Sequence, residues 1–265
     1  MPGGYQERPS RLDGAVVWRR NADPAPADPV HPDPVHPDPA HPDPVPPYPV
    51  LPDGCMDLLW IDGRLIVAGP DTRAHDAGGS PGSRFAGVRF APGTGAALLG
   101  VPAYELRDRR VPLADVWAGV RELEGRISEA PDQALALEEL ALRRAADTGP
   151  PDPLMRAVAA GLDAGRTVAG TAEAVGIGVR QLRRRSLDAF GYGPKTLARV
   201  LRLQRALALV RDGIPFAQAA HASGCADQAH LARETRELAG MTLSAYASLA
   251  AKRDTPQPSG SSTTA

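Results

Sequence analysis

From about residue 150 onward, apolar residues recur three and four positions apart, the spacing of one face of a helix. Leu154, Val158 and Leu162 set the first such stripe and predict a helix over 154–164. A short unit is then written twice, once from Val168 to Gly191 and again from Phe216 to Gly240. In each copy an alanine, Ala172 or Ala220, stands four residues before a glycine, Gly176 or Gly224. Glycine takes the left-handed conformation that ends a helix. A three- to four-residue turn follows, and then a second helix. It carries an inward leucine, Leu182 or Leu231, and an arginine two residues later, Arg184 or Arg233. Helix, tight turn and basic helix is the helix-turn-helix order.

The polar positions of the second helices give the pattern its chemistry. Over 179–190, Val179, Leu182 and Phe190 predict an inward stripe. Arg180, Arg183 and Arg184 fall opposite, flanked by Gln181 and Arg185. In the second copy Leu231 and Leu238 face in, Gln228, His230 and Arg233 face out, and Asp227 is the expected N-cap. Guanidinium groups bind guanine O6 and N7 in a fork and also bind phosphates, while Gln reads adenine. A single arginine-rich helix is more often a solvated face. Two of them behind the same Ala-x-x-x-Gly turn favour DNA. Between the copies, Pro194 and the glycines before it break the chain, and Leu197 to Arg211 runs without a breaker until Gly213. Such a helix spans about 24 Å at ~1.5 Å per residue. With the readers' own offsets added, it sets them roughly one DNA turn, about 34 Å, apart.

These residues resemble the DNA-binding domain of the AraC/XylS family of bacterial transcription regulators. The carrying motifs are Leu182-Arg-Arg184, Phe190-Gly-Tyr-Gly-Pro-Lys195, Arg202-Leu-Gln-Arg205, Gly224 to Arg233, and Leu238-Ala-Gly240. The resemblance covers about 152–250 and implies seven helices, two of them reading bases. Carried over by position, the DNA-binding residues are Arg180, Gln181, Arg183, Arg184 and Lys195, then Gln228, Ala229, His230 and Arg233. The chain departs from the family at Ser186 and Thr235, where an aromatic is usual, and at Gly178 and Leu243, where Ser and Pro are common. Small hydroxyl residues at two core positions are expected to loosen both units.

The N-terminal pattern is of period two. Gly14 to Arg19 predicts a short strand after a polar, frayed start over Met1–Leu12. Val50 to Trp60 and Leu65 to Pro70 predict two strands around an Asp-Gly turn, and Phe85 to Phe90 another. Gly95 to Gly100 begins a short helical piece. Asp115–Ile127 and Pro131–Ala146 then read as helices, with Pro131 in a first turn and Leu135, Leu137, Leu140 and Leu142 as apolar surface. Short strands with Gly/Pro turns suggest a small β-barrel or sandwich. The Pro-Asp-Gly-Cys-Met-Asp-Leu and Phe-Ala-Gly-Val-Arg-Phe segments resemble the sensor domain of one actinobacterial-type branch of these regulators, which implies a cupin-like fold. The expected fold class is α+β. A β-rich, cupin-like domain occupies 1–149, with a Pro-rich insertion at 23–49 and a helical extension at 113–147. An all-α double helix-turn-helix occupies 150–253, and a disordered tail 254–265.

Composition sharpens this picture. The net charge of −1 conceals an asymmetry. Residues 150–253 hold fifteen Lys plus Arg against eight Asp plus Glu, a net of +7. Residues 1–149 hold fifteen against twenty-two, a net of −7. The basic half is the one expected on DNA. The insertion repeats His-Pro-Asp-Pro at His31, His36 and His41. Proline at this density excludes helix and sheet, and residues five apart do not share a face of a polyproline helix, so a linker is favoured over a metal tract. Cys55 and Cys225 have neither a disulfide framework nor metal-ligand spacing. No apolar run reaches the length of a membrane span, and a cytoplasmic protein is expected.

A cupin enzyme needs two or three His and a carboxylate on its strands. Outside the proline repeat the N-terminal half has only His75, in a Gly-rich, loop-like stretch. No metal, cofactor or catalytic residue is expected. Asp57, Trp60 and Arg89 are candidate ligand-binding residues, with ordinary strand roles as the alternative. The expected partners are double-stranded promoter DNA and a small-molecule effector, with RNA polymerase and a second copy of the chain as further candidates. A ligand-independent regulator whose N-terminal domain only dimerises stays open. So does a cupin-type metal enzyme fused to a DNA-binding module. The helices before Pro150 would serve a dimer interface or cover the barrel mouth.

Overall fold

Alternating burial builds the N-terminal half of the computed structural model, which describes residues 5–21, 49–76, 78, 80 and 82–251. The strands are β1 (Tyr5–Pro9), β2 (Ala15–Asn21), β3 (Pro49–Val50), β4 (Met56–Ile61), β5 (Arg64–Ala68), β6 (His75–Asp76) and β7 (Arg84–Phe90). Helices α1 (Gly95–Leu99) and α2 (Ala103–Leu106) follow, then β8 (Arg110–Pro112) and a 3₁₀ turn over Leu113–Asp115. Helices α3 (Val120–Glu129) and α4 (Gln133–Thr148) complete this half. Six strands pair antiparallel in the order β1-β2-β7-β4-β5-β8, and β3 pairs with β6 apart from them. Among the described residues no pairing joins β1 to β8, the two ends of the sheet.

Residues two apart on a strand share a face. Val17, Leu58, Trp60, Leu65, Val67, Ala86 and Val88 form one face and are buried with Leu137, Leu140 and Ala141 of α4 and Ile127 of α3. Asp57 and Arg89 are cross-strand neighbours on the other face. Between β4 and β5, Asp62 and Gly63 take positive φ, 45° and 95°, as the Asp-Gly hairpin turn requires.

Glu138 stands among the leucines of α4 and is fully buried. Its carboxylate accepts hydrogen bonds from Arg8 Nη2 (2.9 Å), Ser10 Oγ (2.9 Å) and the Arg11 backbone N–H (2.7 Å). These donors hold it well below the usual carboxylate range, at about 2, with the Arg8 hydrogen bond the largest cause. One side chain thus ties the N-terminal hairpin to the helix across its base.

Several expectations need correction. The N-terminal segment is not frayed over the described residues, because Tyr5–Pro9 pairs with β2 as an edge strand. The helix expected from Asp115 starts at Val120, since Gly119 adopts φ 72° and interrupts it. Pro131 precedes the helix instead of opening it. Asp132 is the N-cap, accepting from the Leu135 N–H at 3.1 Å. Pro49, assigned to the proline tract, lies in β3, and the repeat at His31, His36 and His41 lies outside the described residues, as does the tail over 254–265.

Seven helices span the described residues from 153 to 251: α5 (Pro153–Asp163), α6 (Val168–Ala174), α7 (Val179–Phe190), α8 (Pro194–Arg211), α9 (Phe216–Ser223), α10 (Gln228–Ala239) and α11 (Leu243–Ala251). The chain thus has the α+β, two-domain organisation expected of it. Helix α8 begins three residues earlier than its apolar run, because Pro194 fits a first helical position. Its 18 residues span about 27 Å at ~1.5 Å each. Leu197 and Leu201 pack in the core of α5–α7, and Leu203, Ala206, Leu207 and Val210 in that of α9–α11. Arg205 reinforces the join, donating to Asp163 Oδ1 (2.8 Å) at the end of α5 and to the Ser223 carbonyl (3.3 Å) at the end of α9.

The two halves meet at α7, which packs against α1 and α2, and at α8. Leu51 is buried in the α9–α11 core, and Gln204 donates to the Pro52 carbonyl at 2.6 Å. At the α7–α8 turn, Gly191 has φ 79°, and a Cβ there would lie 2.7 Å from Pro70 Cγ and 3.0 Å from the Ala103 carbonyl. Only glycine permits both the left-handed turn and this approach.

Candidate nucleic-acid interface

Each helix-turn-helix unit is set by its turn. Gly176 (φ 70°) and Gly224 (φ 86°) are left-handed after α6 and α9, and four residues separate each of these helices from the next. In the second unit Asp227 is the N-cap of α10, its carboxylate accepting from the His230 N–H at 2.6 Å. In α7 the buried stripe is Leu182, Ser186 and Phe190. Val179, expected to face inward, is 50% exposed, because the stripe is anchored at 182 and one turn earlier falls at the helix start.

Arg180, Gln181, Arg183 and Arg184 are all exposed on α7. Gln228, Ala229 and Arg233 are exposed on α10, as is Lys195 at the start of α8. His230 is half-buried. Its Nδ1 accepts from the Ala226 N–H at 3.2 Å, and its Nε2 lies 3.6 Å from Glu234 Oε1. The imidazole is therefore engaged in holding the turn.

A cleft of about 640 Å³ brings Lys195, His230 and Arg233 together with Arg166, Arg199 and Arg202. Its floor holds a charge cluster that the linear sequence did not single out. Glu234, 4% exposed, receives Arg202 through Nε (3.0 Å) and Nη2 (2.6 Å), and Arg199 through Nε (3.0 Å). Arg199 also bonds Glu237. Burial alone would raise the Glu234 carboxyl, but the hydrogen bonds from Arg202 and Arg199 outweigh it and hold it below its usual range. The signal available was two matched pairs at i, i+3: arginines at 199 and 202 on α8, glutamates at 234 and 237 on α10. The four α7 residues are not among those lining the cleft.

The two hydroxyl residues expected at core positions are both there, and they differ in how they are satisfied. Ser186 and Thr235 are both fully buried. Thr235 Oγ1 donates to the Leu231 carbonyl at 2.8 Å, whereas Ser186 Oγ has no hydrogen-bond partner.

The three candidate ligand residues of the N-terminal half do not converge. Trp60 belongs to the core face of the sheet, where its Nε1 donates to Ser128 Oγ at 3.2 Å. Asp57 and Arg89 stand on the opposite face, since positions 57 and 60 differ by an odd number on one strand. Arg89 is 6% exposed and its Nε lies 3.3 Å from Asp57 and 3.6 Å from Asp53. Burial disfavours its charge, but these carboxylates prevail and raise its pKa. Trp18 Nε1 donates to Asp57 at 2.8 Å, completing a compact ion-pair cluster.

Residues 171–248 match a family model described as a helix-turn-helix domain, and residues 38–112 match a Domain of unknown function (DUF6597). No curated protein matches the sequence. Solved structures of ToxT from Vibrio cholerae are similar to the chain. The O395 protein shares 12% identity over 77% of this chain and 94% of its own, with a TM-score of 0.43. The unsaturated-fatty-acid-bound protein of strain SCE256 shares 12% over 73% and 87%, with a TM-score of 0.43. ToxT bound to (E)-4-(8-methylnaphthalen-1-yl)but-3-enoic acid shares 10% over 93% and 99%, with a TM-score of 0.44.

Proposed function

With an AraC-type helix-turn-helix domain over 171–248 as the starting point, we propose that this chain is a sequence-specific DNA-binding transcription regulator whose N-terminal half responds to a small-molecule effector. The observation that carries the reading is the pairing of two turn-set helices, α7 and α10, each with arginine on its solvent face and both packed on the single rod α8. Arg180, Gln181, Arg183 and Arg184 would read one major-groove face, and Gln228, Ala229 and Arg233 the next. Lys195 would contact phosphate. His230 enters this scheme as a residue that orients the start of α10 as well as facing the groove. Effector control is supported by the packing of the N-terminal half on the reader α7 and on the rod α8, through Leu51, Pro52 and Pro70.

The test is selection of bound genomic fragments by the purified full chain, followed by binding to the recovered sites at increasing salt. The expected result is a small set of related sites whose affinity falls steeply with salt, as released counterions require. Recovery of fragments with no common sequence would overturn the reading.

A further inference from the structure

Asp71, His75 and Asp108 come together beside the seat of the α7–α8 turn, although the first and last are 37 positions apart in the chain. His75 Nε2 lies 3.2 Å from Asp71 Oδ1 and 3.9 Å from Asp108 Oδ1, and one donor atom from each residue lies within 4.8 Å of the others. The geometry points to a divalent transition-metal site formed by these three side chains, with two carboxylate oxygens and one imidazole nitrogen as ligands.

The chemistry of the three donors argues for a cation between them. Nε2 is buried and no hydrogen bond reaches it, although it stands between two carboxylates. A metal ion held by all three side chains would satisfy that nitrogen. Bonds of about 2.1 Å place neighbouring donors roughly 3.0–3.4 Å apart, the separation of His75 and Asp71 here. Both carboxylates are already oriented from behind. Arg110 Nη1 and Nη2 each donate to Asp71 at 2.7 Å. The Thr72 N–H (2.7 Å) and Oγ1 (2.9 and 2.8 Å) donate to Asp108, and Arg107 Nε stands 4.0 Å from it. Outer partners of this kind fix ligands in metal sites, and each carboxylate oxygen keeps a second lone pair for the ion. Asp71 is 6% exposed, and a bound cation would stabilise a carboxylate taken out of water. One imidazole with two carboxylates suits a borderline ion such as Zn²⁺ or Mn²⁺.

The site joins the two loops on which the DNA-binding half rests. Pro70 packs against Gly191, Arg107 Nη1 donates to the Gly191 carbonyl at 3.4 Å, and the Asp108 N–H donates to the Pro70 carbonyl at 3.1 Å. A bound ion would fasten the same loops a second time. This inference concerns binding at three side chains and stands whether or not the regulator reading holds.

The experiment is calorimetric titration of ZnCl₂ into the chelator-stripped full chain, with His75→Gln, Asp108→Asn and Cys225→Ser beside it. Zn²⁺ binds such sites at least as well as Mn²⁺ does. Asn is chosen at 108 because φ there is 57°, a conformation Asn tolerates. The Cys225 variant controls for a second group, Cys225, His230 and Glu234, whose donors also lie within 4.8 Å of one another. We expect one equivalent of Zn²⁺ that is lost or weakened at least tenfold in the 75 and 108 variants and kept in the 225 variant. Zinc should also raise the melting temperature of the wild type and not of His75→Gln. Unchanged stoichiometry and affinity in both variants, or loss of that equivalent in the 225 variant instead, would overturn the site.

Discussion

Replacing Glu138 by Gln should weaken the N-terminal half in a pH-dependent way. The carboxyl moves from an ordinary 4.5 to about 2 in the folded state, chiefly through the Arg8 hydrogen bond. At about 1.36 kcal/mol per pKa unit that shift is worth ~3 kcal/mol at face value. The two guanidiniums facing it are 47% and 55% exposed. Solvent screening therefore discounts the figure, and about 2 kcal/mol is the expected loss at pH 7. The folded pKa is depressed, so the contribution is full above the unfolded pKa near 4.5. It is lost as pH falls towards 2. Urea unfolding of both proteins at steps from pH 7 to pH 2.5 isolates Glu138, because other carboxylates titrate alike in each. The two stabilities should lie ~2 kcal/mol apart at pH 7 and draw together progressively as pH falls from about 4.5 towards 2. A gap that stays constant across that range would refute the electrostatic account and leave only lost packing.

Three further outcomes follow from buried groups. Ser186→Ala removes a buried hydroxyl that has no partner and should stabilise the chain by about 1 kcal/mol, read as a higher melting temperature. Gly191→Ala forces a side chain into left-handed backbone against Pro70 and the Ala103 carbonyl. We expect a loss of roughly 2 kcal/mol or more and faster proteolysis near residue 150. Glu234→Gln takes the buried carboxylate from Arg202, while Arg199 keeps Glu237. Stability should fall by ~1–3 kcal/mol, while the steepness of salt-dependent DNA binding rises in a gel-shift series, since Arg202 becomes available to phosphate.

What could be read from the chain was what local chemistry decides. Gly176 and Gly224 end helices because of their backbone freedom, and Asp227 caps one because its side chain reaches the third N–H on. Arginine on the face away from Leu182 is likewise a matter of spacing. The opposed faces of Asp57 and Trp60 were legible from strand alternation alone. Other features depend on contacts remote in sequence. Glu138 reads as a solvated helix residue until Arg8 arrives from 130 positions away. The strand Tyr5–Pro9 has almost no apolar content and exists because β2 offers it an edge. His75 sits in a Gly-rich stretch, and only the fold brings it to Asp108.

The most direct measurement is a footprint of the full chain on a selected operator, taken for wild type, Arg184→Ala and Arg233→Ala. We expect two protected patches about ten base pairs apart. Each variant should lose discrimination in one patch only, at ~1–3 kcal/mol. A single patch, or two variants that weaken every sequence equally, would contradict two readers set on one rod.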